Sequence, residues 1–241
     1  MTILHGKNTT VLLGSVNLSQ WLDSFGVSAS ADSADATMFQ ATWRSGYTGQ
    51  LSGTADVSGL YDPAQASLPT LFLAGLPGVL TGCPGAGAAI GDRARLVSAL
   101  DVSYKESASV GGLVAIAASF TADGVVGFGD VLHPLGEDTN TTTGAAKNEL
   151  ASSSTGWTAH LHVTLVDGGT WTIKLQDSTA ANFSDVADVS GGSFTATAAV
   201  TSQRLVGAAG ATVRQYVRYV ATRAGGSAGD GITFFLALAR N

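Results

Sequence analysis

Residues Trp21–Asp62 read WLDSFGVSASADSADATMFQATWRSGYTGQLSGTADVSGLYD. Val27, Ala29 and Ala31 alternate with Ser28, Ser30 and Asp32, which is the period of a β-strand. An acid-dotted connection, DSADAT, follows, and then a return marked by Phe39, Trp43 and Tyr47. The second run, Gly49–Tyr61, sets Leu51, Gly53, Ala55, Val57 and Gly59 on one side by the same alternation. The stretch therefore predicts strand, long polar loop, strand. A connection of this length within a compact domain is commonly a binding or assembly segment. It holds no nucleophile with a base, no metal-ligand cluster and no phosphate loop.

Composition bounds the rest. The chain has 241 residues, 45 % hydrophobic and only 12 % charged, with 31 glycines. That hydrophobic share builds a core and excludes a wholly disordered chain. The low charge suits closely packed sheets and broad subunit contacts better than a free monomer's surface. The net charge of −6 is uneven: residues 1–140 hold 5 Lys/Arg against 12 Asp/Glu, and residues 141–241 hold 7 against 6. An acidic first part argues against specific nucleic-acid binding, which needs basic clusters. Cys83 is the only cysteine, so no intrachain disulfide is expected. MTILHGKNTTVLL lacks a basic region leading into a long apolar core, so no signal peptide is expected. No run approaches ~18 apolar residues, the length of a membrane helix.

Outward from Trp21–Asp62 the pattern is mainly β. Strands are expected near 9–14, 79–81, 96–106, 113–122 and 125–132, with one short helix starting at Asp62 and Pro63. Residues 136–155 (GEDTNTTTGAAKNELASSST) are polar and nearly free of apolar residues, a linker composition. Beyond them Trp157, Ala159, Leu161, Val163 and Leu165 alternate with Thr158, His160, His162 and Thr164. Asp167, Gly168 and Gly169 turn the chain into Trp171, Ile173 and Leu175, which predicts a hairpin. Further strands are expected at 194–202, 213–221 and 232–240. The fold class is all-β: a barrel- or sandwich-like domain over 1–138, a linker over 139–155, and an antiparallel β-sandwich over 156–241.

Candidate chemistry is sparse. His160 and His162 share a strand face, but no further ligands are marked, so they read as solvent-facing. Asp32, Asp35 and Asp56 read as acidic surface residues rather than a catalytic pair. Residues 85–91 (GAGAAIG) depart from both nucleotide-loop patterns. Cys83 has no partner histidine nearby. Trp157 and Trp171 fall on the core side of their strands. Phe183 remains a candidate exposed aromatic. Arg214 and Arg218 share one face of a strand, as an exposed ladder or as ion pairs across a subunit contact. No catalytic, cofactor or metal site is expected.

The order of features resembles the major tail tube proteins of long-tailed, siphophage-type bacteriophages. The resemblance rests on LSQWLDSF from Leu18, on DSADAT, on Tyr47–Tyr61 running into SGLYD, on GGLVA from Gly111 and on VLHPL at 131–135, over roughly residues 10–135. The later GWTAHLHV, TVRQYVR and ITFFLA segments resemble the accessory β-sandwich domains of some tail proteins. The resemblance implies a structural virion protein whose hexameric rings stack into the tail tube, the conduit for DNA ejection. Such a subunit is assembled in the host cytoplasm, and its partners are copies of itself, other tail proteins and DNA passing without specific binding. It implies an assembly arm containing Asp32, Asp35, Thr37, Phe39, Trp43 and Tyr47. Asp32, Asp35 and Asp56 are then candidate lumen charges, and Phe183, Arg214 and Arg218 candidate surface contacts. The other reading is a decoration protein or a carbohydrate-binding fibre module that meets cell-surface glycans.

Overall fold

A computed structural model describes residues 5–39, 42–62, 78–85 and 89–240. The expected helix after Asp62 and the centre of the 85–91 loop lie outside the described residues. Sixteen strands account for most of what is described, and no α-helix occurs among the described residues. The first eight are β1 Thr10–Leu13, β2 Val16–Asn17, β3 Leu22–Asp35, β4 Gly46–Leu60, β5 Gly78–Cys83, β6 Arg93–Ser107, β7 Ala115–Ala122 and β8 Gly127–Asp138. The rest are β9 Thr142–Thr143, β10 Lys147–Asn148, β11 Trp157–Val166, β12 Thr170–Ser178, β13 Ala187–Ser193, β14 Thr201–Val206, β15 Tyr216–Ala224 and β16 Ile232–Arg240. The chain is all-β, as its alternation predicts.

The chain divides into two compact units. One comprises residues 1–21, 78–96 and 127–241, and the other residues 22–77 and 97–126. These limits differ from the expected division at 138 and 155. The reason is visible in the pairing. The supposed linker contributes β9 and β10, which both pair with β15. β8 pairs along β16, so the chain's last strand belongs with residues that precede the linker.

In the first unit, one sheet runs β14–β11–β16–β8–β6–β5–β1–β2, and a second runs β10–β15–β12–β13 with β9 on β15. The main core lies between them. Trp157, Leu161, Trp171, Ile173, Leu175, Val217, Phe234 and Leu236 are all buried there. The expected hairpin of β11 with β12 does not form. β11 pairs with β14 and β16, and β12 with β13 and β15. The turn at 167–169 instead carries the chain from one sheet to the other, so Trp157 and Trp171 meet in the same core from opposite sides. Burying side chains of this size stabilises by roughly 1.5–3 kcal/mol each.

β11 and β16 have a second buried face. Leu12, Cys83, Ala94, Leu96, Val131, Phe235, Ala237 and Ala239 form a separate cluster. This corrects the reading of His160 and His162 as solvent-facing: both are fully buried. Thr81 Oγ1 lies 3.0 Å from His160 Nδ1 and 2.8 Å from His162 Nε2. His162 Nδ1 donates to the Gly14 carbonyl at 2.7 Å. In the neutral ring His162 Nε2 must then accept the Thr81 proton, so Thr81 Oγ1 accepts from His160 Nδ1–H. One hydroxyl thus serves two buried rings, while His160 Nε2 is left without a hydrogen-bond partner among the described residues.

The second unit has the strand order β3–β4–β7–β6, antiparallel throughout. Gly53, Ala55, Val57 and Gly59 face its interior, together with Ile116, Ala118 and Phe120. Gly53 is needed there, because a Cβ would come within 2.3 Å of Val126 Cγ2.

Candidate assembly arm

β3 and β4 form one long antiparallel hairpin. Register runs from Leu22 opposite Gly59 to Asp35 opposite Gly46, with irregularities at Leu22/Ser24 and Ala31/Ser33. The strands extend further than the sequence pattern suggests, so the connection is reduced to residues 36–45 and the projecting element is mostly β-ladder. Small residues permit this: serine, alanine and glycine fit a ladder solvated on both faces without exposing apolar bulk. Ser28 and Thr54 hydroxyls bond across the ladder at 2.8 Å, as do Ser30 and Ser52 at 3.0 Å. Near the base, Ser58 Oγ donates to Asp23 at 2.8 Å.

The end of the hairpin is tied down by a few polar contacts. Ala36 N donates to the Ser45 carbonyl at 2.8 Å. Thr37 N and Oγ1 both donate to Asp35 Oδ1, at 2.9 and 2.5 Å, and Ser45 N donates to Thr37 Oγ1 at 3.1 Å. Those bonds from Thr37 hold the Asp35 carboxyl below its ordinary pKa. On this frame stand large apolar side chains in water: Met38 is 81 % exposed, Trp43 85 %, Tyr47 74 %, Leu51 76 %, and Phe39 fully. Soluble monomers seldom display such a concentration without a partner.

Among the described residues β3 pairs with β4 alone, so its outer edge is a row of unpaired backbone donors and acceptors. Fourteen residues is long for an edge strand, and it contains no Lys, Arg or Pro, residues that usually blunt such edges. The sheet's other face is polar. Ser24, Asp56, Ser58, Ser103, Lys105 and Ser119 line a shallow recess of about 340 Å³.

The acids do not converge. Asp56 lies opposite Gly26, whereas Asp35 lies opposite Gly46, ten residues or about 33 Å along β4 from Asp56. Asp32 sits beside Gly49, whose added Cβ would stand 3.1 Å from its own Cβ. All three are exposed, and Asp35 and Asp56, so far apart, cannot share a proton or flank one bond.

The candidate contacts in 156–241 are engaged within the chain. Phe183 is buried, not exposed, and the Arg218 guanidinium lies 4.1 Å from its ring centroid. Arg218 also donates to Gln176 Oε1 from Nε at 3.1 Å and from Nη2 at 2.9 Å. Arg214 is neither an exposed ladder member nor unpaired: its Nε donates to Asp177 at 2.7 Å and its Nη1 to Asp185 at 3.1 Å. The glycan expectation thereby loses its aromatic candidate. Cys83 is buried, and burial pushes its thiol up to about 12, which leaves it inert as a nucleophile. No group of metal-ligating side chains occurs among the described residues. The sequence pattern missed the His160–Thr81–His162 layer, since Thr81 lies about eighty positions away in the chain.

Comparison with protein-family models gives no match, and neither does comparison with curated proteins. Among solved structures, a chain of the virion of a native gene transfer agent particle is similar at 16 % identity and TM-score 0.42, covering 52 % of this chain and 98 % of that one. A chain from the tail of an empty gene transfer agent particle, of C6 symmetry, is similar at 16 % identity and TM-score 0.35, covering 45 % and 81 %. The Dit protein of phage SPP1, described as a hub adsorption apparatus, is similar at 10 % identity and TM-score 0.37, covering 96 % and 99 %. At these identities and TM-scores the likenesses carry no argument, and the functional reading rests on the chain's own residues.

Proposed function

We propose that this chain is a structural subunit of a phage tail, and that its second unit builds a tube by joining copies edge to edge. The observation that carries this is the β3–β4 hairpin: a long ladder with two register irregularities, solvated on both faces in its outer half, with an edge that is free among the described residues and exposed aromatic side chains near its end. Directions alternate along β3–β4–β7–β6. A β3 edge added beside the end of β6 that lies beyond its pairing with β5 in the next copy therefore continues an antiparallel sheet, and a head-to-tail contact of this kind gives a ring when its rotation closes. The number six is what resemblance to the tail tube family implies. The acidic balance of residues 1–140 suits a conduit that repels DNA phosphates and lets the duplex slide. In that reading Asp32, Asp35 and Asp56 act as charges and not as catalysts, and the protein performs no reaction.

Replacing residues 33–48 by Asn-Gly tests the proposal, because that pair closes a two-residue hairpin turn. The shortened chain should keep its far-UV circular dichroism and melting temperature and lose ring and tube formation. Tubes of normal width from it would refute the arm assignment.

A further inference from the structure

The first unit holds a recess of about 290 Å³, lined by Arg93, Phe128, Asp130, Glu149, Ser153 and Arg240 among others. Its floor follows from register. Arg93 on β6 stands opposite Asp130 on β8, which stands opposite Leu238 on β16. Phe128, two residues before Asp130, shares its face. One wall comes from the segment between β10 and β11. There Ala151 N donates back to the Glu149 carbonyl at 2.8 Å, around Leu150 with a φ of 68°. That is the rare, strained form of a three-residue turn, and a bulky residue keeps it only where its surroundings impose it. The Leu150 side chain is 84 % exposed, so packing does not hold the turn. Arg240 does: its Nη2 donates to the Glu149 carbonyl at 2.7 Å and its Nη1 to the Ala151 carbonyl. The turn thereby brings the Glu149 carboxylate to the recess, with Oε2 3.2 Å from Arg240 Nη2.

Three cations meet two carboxylates here. Asp130 is engaged twice, by Arg93 Nη1 at 3.0 Å and by Lys147 Nζ at 3.2 Å, and Glu149 once, by Arg240. Burial, and then the charge of Asp130, raise the Glu149 carboxyl above its ordinary range, so the balance is positive. The surplus lies on Arg93, whose side chain is 71 % exposed. Its N–H groups other than the one on Asp130 have no partner among the described residues, and neither has Glu149 Oε1. Phe128 is 54 % exposed beside them, with Arg95 Cζ 4.9 Å from its ring centroid.

From this geometry we infer that the recess binds a sugar acid, a single pyranose ring bearing a carboxylate. The open N–H groups of Arg93 receive the ligand carboxylate as a forked pair. Glu149 Oε1 accepts from a ring hydroxyl, and Phe128 packs on the C–H face of the ring. A neutral sugar leaves the Arg93 charge unanswered, and a simple anion leaves Phe128 and Glu149 uncovered. The volume lies at the lower end for ligand pockets, which suits one ring rather than a nucleotide or a peptide. Charges withdrawn from water add little net stability to a fold. Holding donors and acceptors in place before a ligand arrives is the use such a network has. The site lies within the first unit and does not depend on the assembly reading.

Isothermal titration of the full chain with D-glucuronate tests the site, with glucose and acetate as separate arms. Glucuronate should bind saturably at one site with a dissociation constant in the millimolar range, and glucose and acetate about tenfold more weakly or less. Arg93→Gln should weaken glucuronate by about tenfold or more, since Asp130 keeps Lys147 in that variant while the fork's charge is lost. Phe128→Ser should weaken it severalfold. Both side chains are solvated in good part, and the melting temperature of each variant verifies the fold. Absence of saturable glucuronate binding overturns the proposal. So does acetate or glucose binding as tightly as glucuronate, or an affinity that Arg93→Gln leaves unchanged, which would put the sugar elsewhere.

Discussion

β11 and β3 share a period of two, yet one is covered on both faces and the other is solvated on both faces from Ser28 outward. In β11 the apolar side, Trp157 to Val163, enters the core between two sheets. Its polar side enters a second buried layer, where His160 and His162 share Thr81. In the outer part of β3 neither side is covered among the described residues, and the Ser28 and Ser30 hydroxyls bond to their ladder neighbours Thr54 and Ser52. The difference lies in what can be satisfied. A buried polar group must find a partner or cost several kcal/mol, and β11's two imidazoles both reach Thr81 on β5, with His160 Nε2 alone of their four ring nitrogens lacking a partner among the described residues. The outer part of β3 has short side chains and a backbone edge that is unpaired among the described residues, so a further strand can satisfy it.

The comparison breaks most visibly in the core. Leu161→Ala should destabilise the first unit by about 2–5 kcal/mol through transfer and cavity terms, measured by urea unfolding. A change near zero would mean that β11 is not packed on its apolar side.

The pH dependence comes next. Burial lowers His162 to about 4 and His160 well below its ordinary value, with the charge of the neighbouring imidazole adding to the effect. The unfolded chain takes up protons below about pH 6.5 that the folded chain refuses. Stability is therefore fully present above that pH and falls as pH drops from 6.5 towards 4. His162 alone accounts for a loss on the order of 3 kcal/mol. Unfolding free energies at pH 7.5, 6 and 5 should show the decline, and His162→Gln should flatten it. An equal slope in both proteins would mean that other groups carry it.

Thr81→Val is a sharper probe of the same layer. It preserves shape but strips the shared hydroxyl from both rings, at a cost of about 1–3 kcal/mol. Unchanged stability would mean that the imidazoles do not depend on it. The smallest effect is expected in the arm. Tyr47→Ser touches a side chain in water, so the dispersed chain should unfold within about 0.5 kcal/mol of the unaltered one. A larger loss would show that the tip packs on its own chain.

The sequence made some of this legible and hid the rest for definite reasons. β16 occupies Ile232–Arg240, the run expected from its apolar residues. The core sides of Trp157 and Trp171 followed from alternation. Alternation says which residues share a face but not what covers that face or which strand lies alongside. The histidines were therefore misplaced, and β11 and β12 were joined in a hairpin although they lie in different sheets. β9 and β10 are two-residue strands in a polar segment, too short to leave a periodic signal. That is why 139–155 reads as linker. Phe183 follows a similar rule: a lone aromatic in a polar loop looks exposed until Arg218 is found above it. In the hairpin, acids and serines imitate a loop, and only the register shows that they extend a ladder.

The central claim is that the exposed hairpin exists to join copies of this chain. Negative-stain imaging of the purified protein over rising concentration tests it most directly. Rings or tubes of one uniform width are predicted. Dispersed monomers at every concentration would contradict the account.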